Sequence, residues 1–215
     1  MTTKTLNIYA YDLREDTSIM FMFEPPNTSR LFKSEFPVVW KVVKLLSKGH
    51  YKATLRYTSR LAIGCVEADY ENIVDSPAWV EVKHGFTSDI SEEYFGRFKE
   101  TGRKWEQSSH LICKNSTKRR ANLSVGFVRG DGIEQRYTPV MVWKKIGSGC
   151  AVSIEFTPIL NAYVTRAYKT SELLPCETEV DPIWSCNLNE LDEVTGWSFV
   201  EDDYTGAFFL EPARA

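Results

Sequence analysis

Along most of this 215-residue chain an apolar residue returns at every second position, and that period of two constrains the fold more than any other feature. Successive side chains of an extended strand point to opposite faces, so alternation gives each strand one face to bury and one to leave wet. Leu6, Ile8 and Ala10 share a face in "TLNIYAY", and "SIMFMF" (18–23) follows before the break at Pro25-Pro26-Asn27. In "EFPVVWKVVKLL" (35–46), Phe36, Val38, Trp40 and Val42 occupy one face while Val39 and Val43 fill the other, which predicts a strand covered on both sides. "YKATLRYT" (51–58), "RLAIGCVEAD" (60–69) and "AWVEVKHGF" (78–86) read as further strands, the last set off by Ser76-Pro77.

Residues 87–106 have helix-like stretches interrupted by two glycines, which predicts a loop with one turn of helix. Beyond them, "SSHLICK" (108–114), "ANLSVGFV" (121–128), "IEQRYTPVMVW" (133–143), "CAVSIEF" (150–156) and "ILNAYVTRAY" (159–168) are again strand-like. Residues 170–197 are less regular, and "SFVEDDYTGAFFLEP" (198–212) closes the chain with a strand pair. No ten-residue stretch makes an amphipathic helix, and no repeat or low-complexity linker divides the chain. The expected fold is all-β: one domain over residues 1–215, an antiparallel β-sandwich of two packed sheets with about ten strands and little helix. Pro37 and Pro139 fall inside strand patterns and demand an edge or a bulge, which argues against a closed barrel.

The stretch Arg129-Gly130-Asp131 spells an adhesion motif, but strand patterns flank it and Gly130 and Gly132 supply the positive φ of a tight hairpin. The N-terminus lacks the charged, apolar and small-residue regions of a secretory leader, and no apolar run reaches the ~18 residues of a membrane span. The reading is a cytoplasmic protein. Its five cysteines, odd in number and without a C-x-x-C pair, are then expected as reduced, mostly buried thiols, and the acceptor patterns at Asn27, Asn115 and Asn122 carry no glycan. With 26 basic and 29 acidic residues, no global field draws the chain to nucleic acid or an anionic membrane.

No nucleophile elbow, phosphate loop, zinc-protease pair or dinucleotide fingerprint is present, so the sequence reads as non-enzymatic. Only His50, His84 and His110 could serve a site assembled from distant residues. His50 lies in a turn, and His110 opens a strand on the face of Ile112. His84 continues the face of Ala78, Val80 and Val82, and an inward imidazole wants either a carbonyl or carboxylate partner or a metal or small-molecule ligand. Glu67, Asp69 and Asp89 are the acidic neighbours that could complete a hard-metal site with it. Six tryptophans and ten tyrosines suit a sheet core, a sugar-stacking surface, a lipid belt or the walls of an apolar pocket, with Trp184 and Trp197 expected on a rim.

Two blocks carry a resemblance. "FPVVWKVVKLLSKGHY" followed by "RLAIGCVEAD" is similar to the opening strands of a group of small cytosolic mushroom proteins. "ANLSVGFVRGDGIEQRY" with "PVMVWKKIGSGCAVSIEFTPILNAYV" resembles their second half, including a strand ending Phe156-Thr157-Pro158-Ile159-Leu160. Within that group the chain resembles the pink and yellow chromoproteins of oyster mushrooms. The resemblance implies an actinoporin-like and fruit-body-lectin-like sandwich that holds a laccarin-type chromophore non-covalently in a cavity, with a divalent metal ion. The pocket such a carrier needs would be lined by Trp40, Tyr57, Trp79, His84 and Tyr163, with His84 and Asp69 toward the metal. The alternatives are a carbohydrate-binding lectin and a membrane-binding actinoporin-like protein; the latter needs an amphipathic N-terminal helix, whereas residues 1–23 read as strands. A small-molecule ligand and a second copy of the chain are the partners this reading admits.

Overall fold

The alternation written along residues 3–11 is the alternation found in space: in strand β1 (Thr3–Tyr11), Leu6, Ile8 and Ala10 are buried and their neighbours are not. The structure, a computed structural model, describes residues 2–26, 31–83, 85–92, 98–104, 110–165, 168–176 and 181–213. Those residues form seventeen strands in four sheets, with two short 3-10 turns at 132–134 and 188–190.

In the first sheet, β1 pairs antiparallel with β5 (His50–Thr58) and parallel with β16 (Val194–Glu201), which forms a hairpin with β17 (Phe208–Pro212). The second runs β15 (Trp184–Asn187), β14 (Ile159–Val164), β2 (Thr17–Phe23) and β4 (Lys41–Leu45), all antiparallel. The third runs β3 (Glu35–Pro37), β12 (Arg136–Ile146), β11 (Ala121–Arg129), β6 (Leu61–Ala68) and β7 (Val74–Val82), also antiparallel. In the fourth, β10 (Leu111–Asn115) lies between β13 (Ala151–Ile154) and β8 (Phe86–Glu92), and β9 (Phe98–Lys104) closes the far edge.

All four sheets turn their inner faces onto one apolar core. It takes Ile8 and Leu55 from the first sheet, Phe21 and Phe23 from the second, Val125 and Phe127 from the third, and Leu111 and Ile154 from the fourth. Burying such side chains contributes about 1.5–3 kcal/mol each, the term that offsets the ordering of so many short strands. Strand β2 is buried on both faces, because Met20 and Met22 turn away from the main core into a second cluster with Val39, Tyr163 and Leu174.

The all-β, antiparallel and sandwich-like expectation holds, in a finer division than about ten strands in two sheets. Residues 35–46, expected as one strand, are two, β3 and β4, in different sheets. Between them the chain changes partner at every residue: the Val38 N–H donates to Val140, Val39 to Glu172 and Trp40 to Phe21. Apolar residues on both faces are what such a crossing between sheets requires. Residues 87–106, expected as a loop with a turn of helix, contain most of the β8–β9 hairpin. Its inward positions include a fully buried Ser88 beside Ile90, so the buried face is partly polar and its period is hidden in a hydropathy reading. Pro77, read as a break, lies within β7, the sheet edge, where a missing N–H costs no ladder bond.

The two prolines flagged for edges or bulges sit at one of each: Pro37 ends the edge strand β3, and Pro139 of β12 faces Gly126 where the register with β11 shifts. The backbones approach so closely there that a Cβ on Gly126 would lie 2.1 Å from the Thr138 carbonyl oxygen. Gly126→Ala is therefore expected to cost about 1–3 kcal/mol or more through overpacking. Urea unfolding would show it as a lowered midpoint, and an unchanged midpoint would mean that the bulge can open.

Candidate functional site

Two clefts among the described residues open where one sheet ends against another. The larger, about 660 Å³, opens between the edge strand β3 of the third sheet and the edge strand β13 of the fourth. Trp143 and Ile146 of β12 form its inner wall, Ala151 and Ser153 of β13 the facing one, and His110 and Glu155 lie across from Glu35 of β3. That volume is within the range of small-molecule sites.

Glu35 is the chemically distinctive member. Its backbone is fixed on both sides, paired with Trp143 in the ladder and accepting from the Phe32 N–H at 2.8 Å. The residue is 5% exposed, and its Oε2 is sealed from solvent without a hydrogen-bond partner. Burying an unpaired carboxylate costs several kcal/mol unless a donor or a cation meets it. On the opposite side His110 Nε2 stands 3.7 Å from Glu155 Oε2, an exposed pair at the mouth. Lys144, which alternates with Trp143, is turned away from the cleft and holds its ammonium 4.4 Å from the centre of the Phe36 ring.

The second cleft, about 330 Å³, lies between β14, β2 and the turn before β3. Met22, Phe32 and Tyr163 give it apolar walls, and Glu24, Asp181 and Asn161 line it as well. Asn161 is 7% exposed with an unpartnered Oδ1, and burial pushes the Tyr163 phenol above its usual range. Phe32 holds a positive φ of 55°, so the turn that separates the two clefts is strained.

The residues expected to line a pigment pocket are dispersed. Trp40 and Tyr57, 2% and 4% exposed, both pack on Phe23 in the main core, Tyr57 on Phe127 as well. The gap they share leaves no volume for a ligand. Tyr163 lines the second cleft. Trp79 lies on β7, half-buried and stacked 5.8 Å from Tyr137, whose hydroxyl is 3.0 Å from Ser124 Oγ. His84 falls outside the described residues. Asp69 has Oδ1 committed to a turn, accepting from the N–H groups of Glu71 at 2.8 Å and Ile73 at 2.9 Å. Among the described residues no three His, Cys, Asp or Glu side chains converge as a metal site. Trp184 and Trp197 meet edge to face at 4.9 Å, packed partly buried against the main core.

Other motifs find structural roles. Arg60 donates to the Gly130 carbonyl at 2.6 Å and to Asp131 Oδ1 at 3.1 Å, tying the hairpin tip to β7 through Glu81 at 2.6 Å. The guanidinium holds the Glu81 carboxyl below its usual range. Asn115 is fully buried; its amide donates to the carbonyls of Arg119 and Ile146 and its oxygen accepts from Thr117. No helix among the described residues is long and apolar enough to cross a membrane.

Comparison of the chain with protein-family models, with curated proteins and with solved structures finds no match.

The burial of Tyr57 pushes its phenol up to about 12, from an ordinary value of 10. Stability from this group is intact below the unfolded value and falls as pH rises through the window between the two, since the unfolded chain ionises first. The loss is about 1.4 kcal/mol per pH unit across that window. Tyr57→Phe is expected to flatten this alkaline slope in urea unfolding curves, and an unchanged slope would place Tyr57 in contact with water.

Proposed function

We propose that this protein is a non-enzymatic binder of a small organic molecule, held non-covalently in the cleft between β3, β12 and β13. The observation that carries the reading is Glu35, a buried carboxylate without a partner on the wall of a ligand-sized cleft. Buried polar groups are ordinarily satisfied, and one without a partner on the wall of an open volume suits a group that arrives from outside as the side chain turns toward it. Trp143 supplies an apolar wall, and β13, an edge strand, supplies backbone for further hydrogen bonds.

The resemblance to the oyster-mushroom chromoproteins makes a laccarin-type pigment the ligand to look for first. The space between Trp40 and Tyr57 does not fit such a molecule, and the described residues do not fit the implied divalent metal, so the cleft at Glu35 is the better seat. A membrane-binding role has weaker support. Tyr70 and Ile133, both almost fully exposed, lie at opposite ends of the third sheet and make no single insertion tip. The carbohydrate-binding reading has one specific observation behind it, the stacked Trp79 and Tyr137 on the third sheet. Loss of glycan-array signal in Trp79→Ala would favour it.

Protein purified from its native source without chelator is expected to carry a small molecule, seen in its near-ultraviolet and visible spectrum and recovered by denaturation and mass spectrometry. Ser153 is exposed and lines the cleft, so Ser153→Trp should fill the volume without touching the core and exclude that molecule. Retention of the molecule by Ser153→Trp, with the fold intact, would move the site elsewhere.

A further inference from the structure

We infer that the molecule this cleft takes carries its own positive charge, an amine or guanidinium attached to an apolar body. The inference rests on the proposal that the cleft is the binding site. Among the described residues of the wall, the two carboxylates, Glu35 and Glu155, are accompanied by no lysine or arginine. The one basic side chain among the described lining residues, His110, stands against Glu155 and leaves Glu35 Oε2 unmatched. Glu35 is also the deeper of the two, 5% exposed, whereas the Glu155 side chain is 70% exposed and screened by water.

An anionic ligand entering this cleft would lose hydration and meet a buried negative group. A neutral one could donate a hydrogen bond to that group but would bring no opposite charge to it. A cationic head removes the cost of the unpaired carboxylate, forms charge-assisted hydrogen bonds with it, and leaves its apolar body to lie on Trp143 and Ile146. Indole is also the best aromatic face for a cation, so carboxylate and ring select the same charge. The arrangement therefore discriminates by charge first and by shape second.

The test uses three isosteric probes on the full chain: tryptamine, tryptophol and indole-3-acetate, measured by isothermal titration with EDTA and again with added magnesium or calcium. Tryptamine is expected to bind at least tenfold more tightly than tryptophol, and indole-3-acetate not at all. Glu35→Gln should erase the preference for the amine and leave the melting temperature of the free protein equal or higher, because an unpaired buried charge has been removed. Equal binding of amine and alcohol, or a preference that survives Glu35→Gln, overturns the inference. So does a carboxylate that binds once divalent metal is added. If all three probes bind and Ser153→Trp abolishes all of them, the cleft stands as the site and only the charge selection fails. If none binds at millimolar concentration the inference fails, and the molecule recovered from native protein still decides whether the cleft is a site.

Discussion

The structure depends on how the chain crosses from the third sheet to the second at Val38, Val39 and Trp40. These residues are almost fully buried, so their backbone groups must find protein partners, and no single ladder can supply them during a change of sheet. Three different elements do: β12 through Val140, the segment around Glu172, and β2 through Phe21. The 171–174 segment serves as the pin, since the Ser171 N–H also donates to the Val39 carbonyl, and Leu173 and Leu174 fill the space behind it. This crossing ends β3 after three residues and leaves it as an edge. A short edge strand anchored at its exit is a rigid support for whatever side chains it carries, and Glu35 is one of them.

Four small sheets around one core have more edges than two large ones would, and each edge must be covered, blunted or used. Pro77 blunts β7, whereas β3 and β13 come together across a cleft and β15 borders a second one. Treatment of buried polar groups differs accordingly. Asn115, at the end of β10, satisfies both ends of its amide, which marks it as a device that holds the turn into β11. Glu35 and Asn161 are also buried, each with an oxygen lacking a partner, and each lines a cleft. Leaving such atoms open costs free energy in the empty protein, which is how binding sites commonly differ from the core around them.

Most of the strands were legible because their period is strict: β1, β2, β5, β6 and β11 fall within a residue or two of the runs that predict them. Pro139 announced its bulge and Pro37 its edge, both for the same reason, a missing backbone donor. The β8–β9 hairpin was hidden because serine occupies an inward position where a hydrophobic residue would have shown the alternation. The break within 35–46 was hidden for the opposite reason. Apolar residues on both faces describe equally a central strand and a crossing between sheets, and only long-range pairing separates the two.

The site was less legible, and the aromatic surplus pointed away from it. Where four sheets converge, the inner strands stand far enough apart that bulky rings are needed to fill the junction, and Phe23, Trp40, Tyr57, Phe127 and Phe156 do this in edge-on and tilted contacts. Their abundance reports the geometry of the core and says little about a ligand. Among its described lining residues the cleft has one tryptophan, Trp143, and no phenylalanine or tyrosine, and its informative residue is a glutamate three residues before a strand crossing. Read along the sequence, Glu35 looks like the polar start of an apolar strand. Only the pairing of β3 with β12 turns its side chain inward beside Trp143, and only the end of the sheet keeps a neighbouring strand from covering it. In this chain, the acidic residue at the head of a two-sided apolar run marks the cleft more directly than the aromatics that crowd the core.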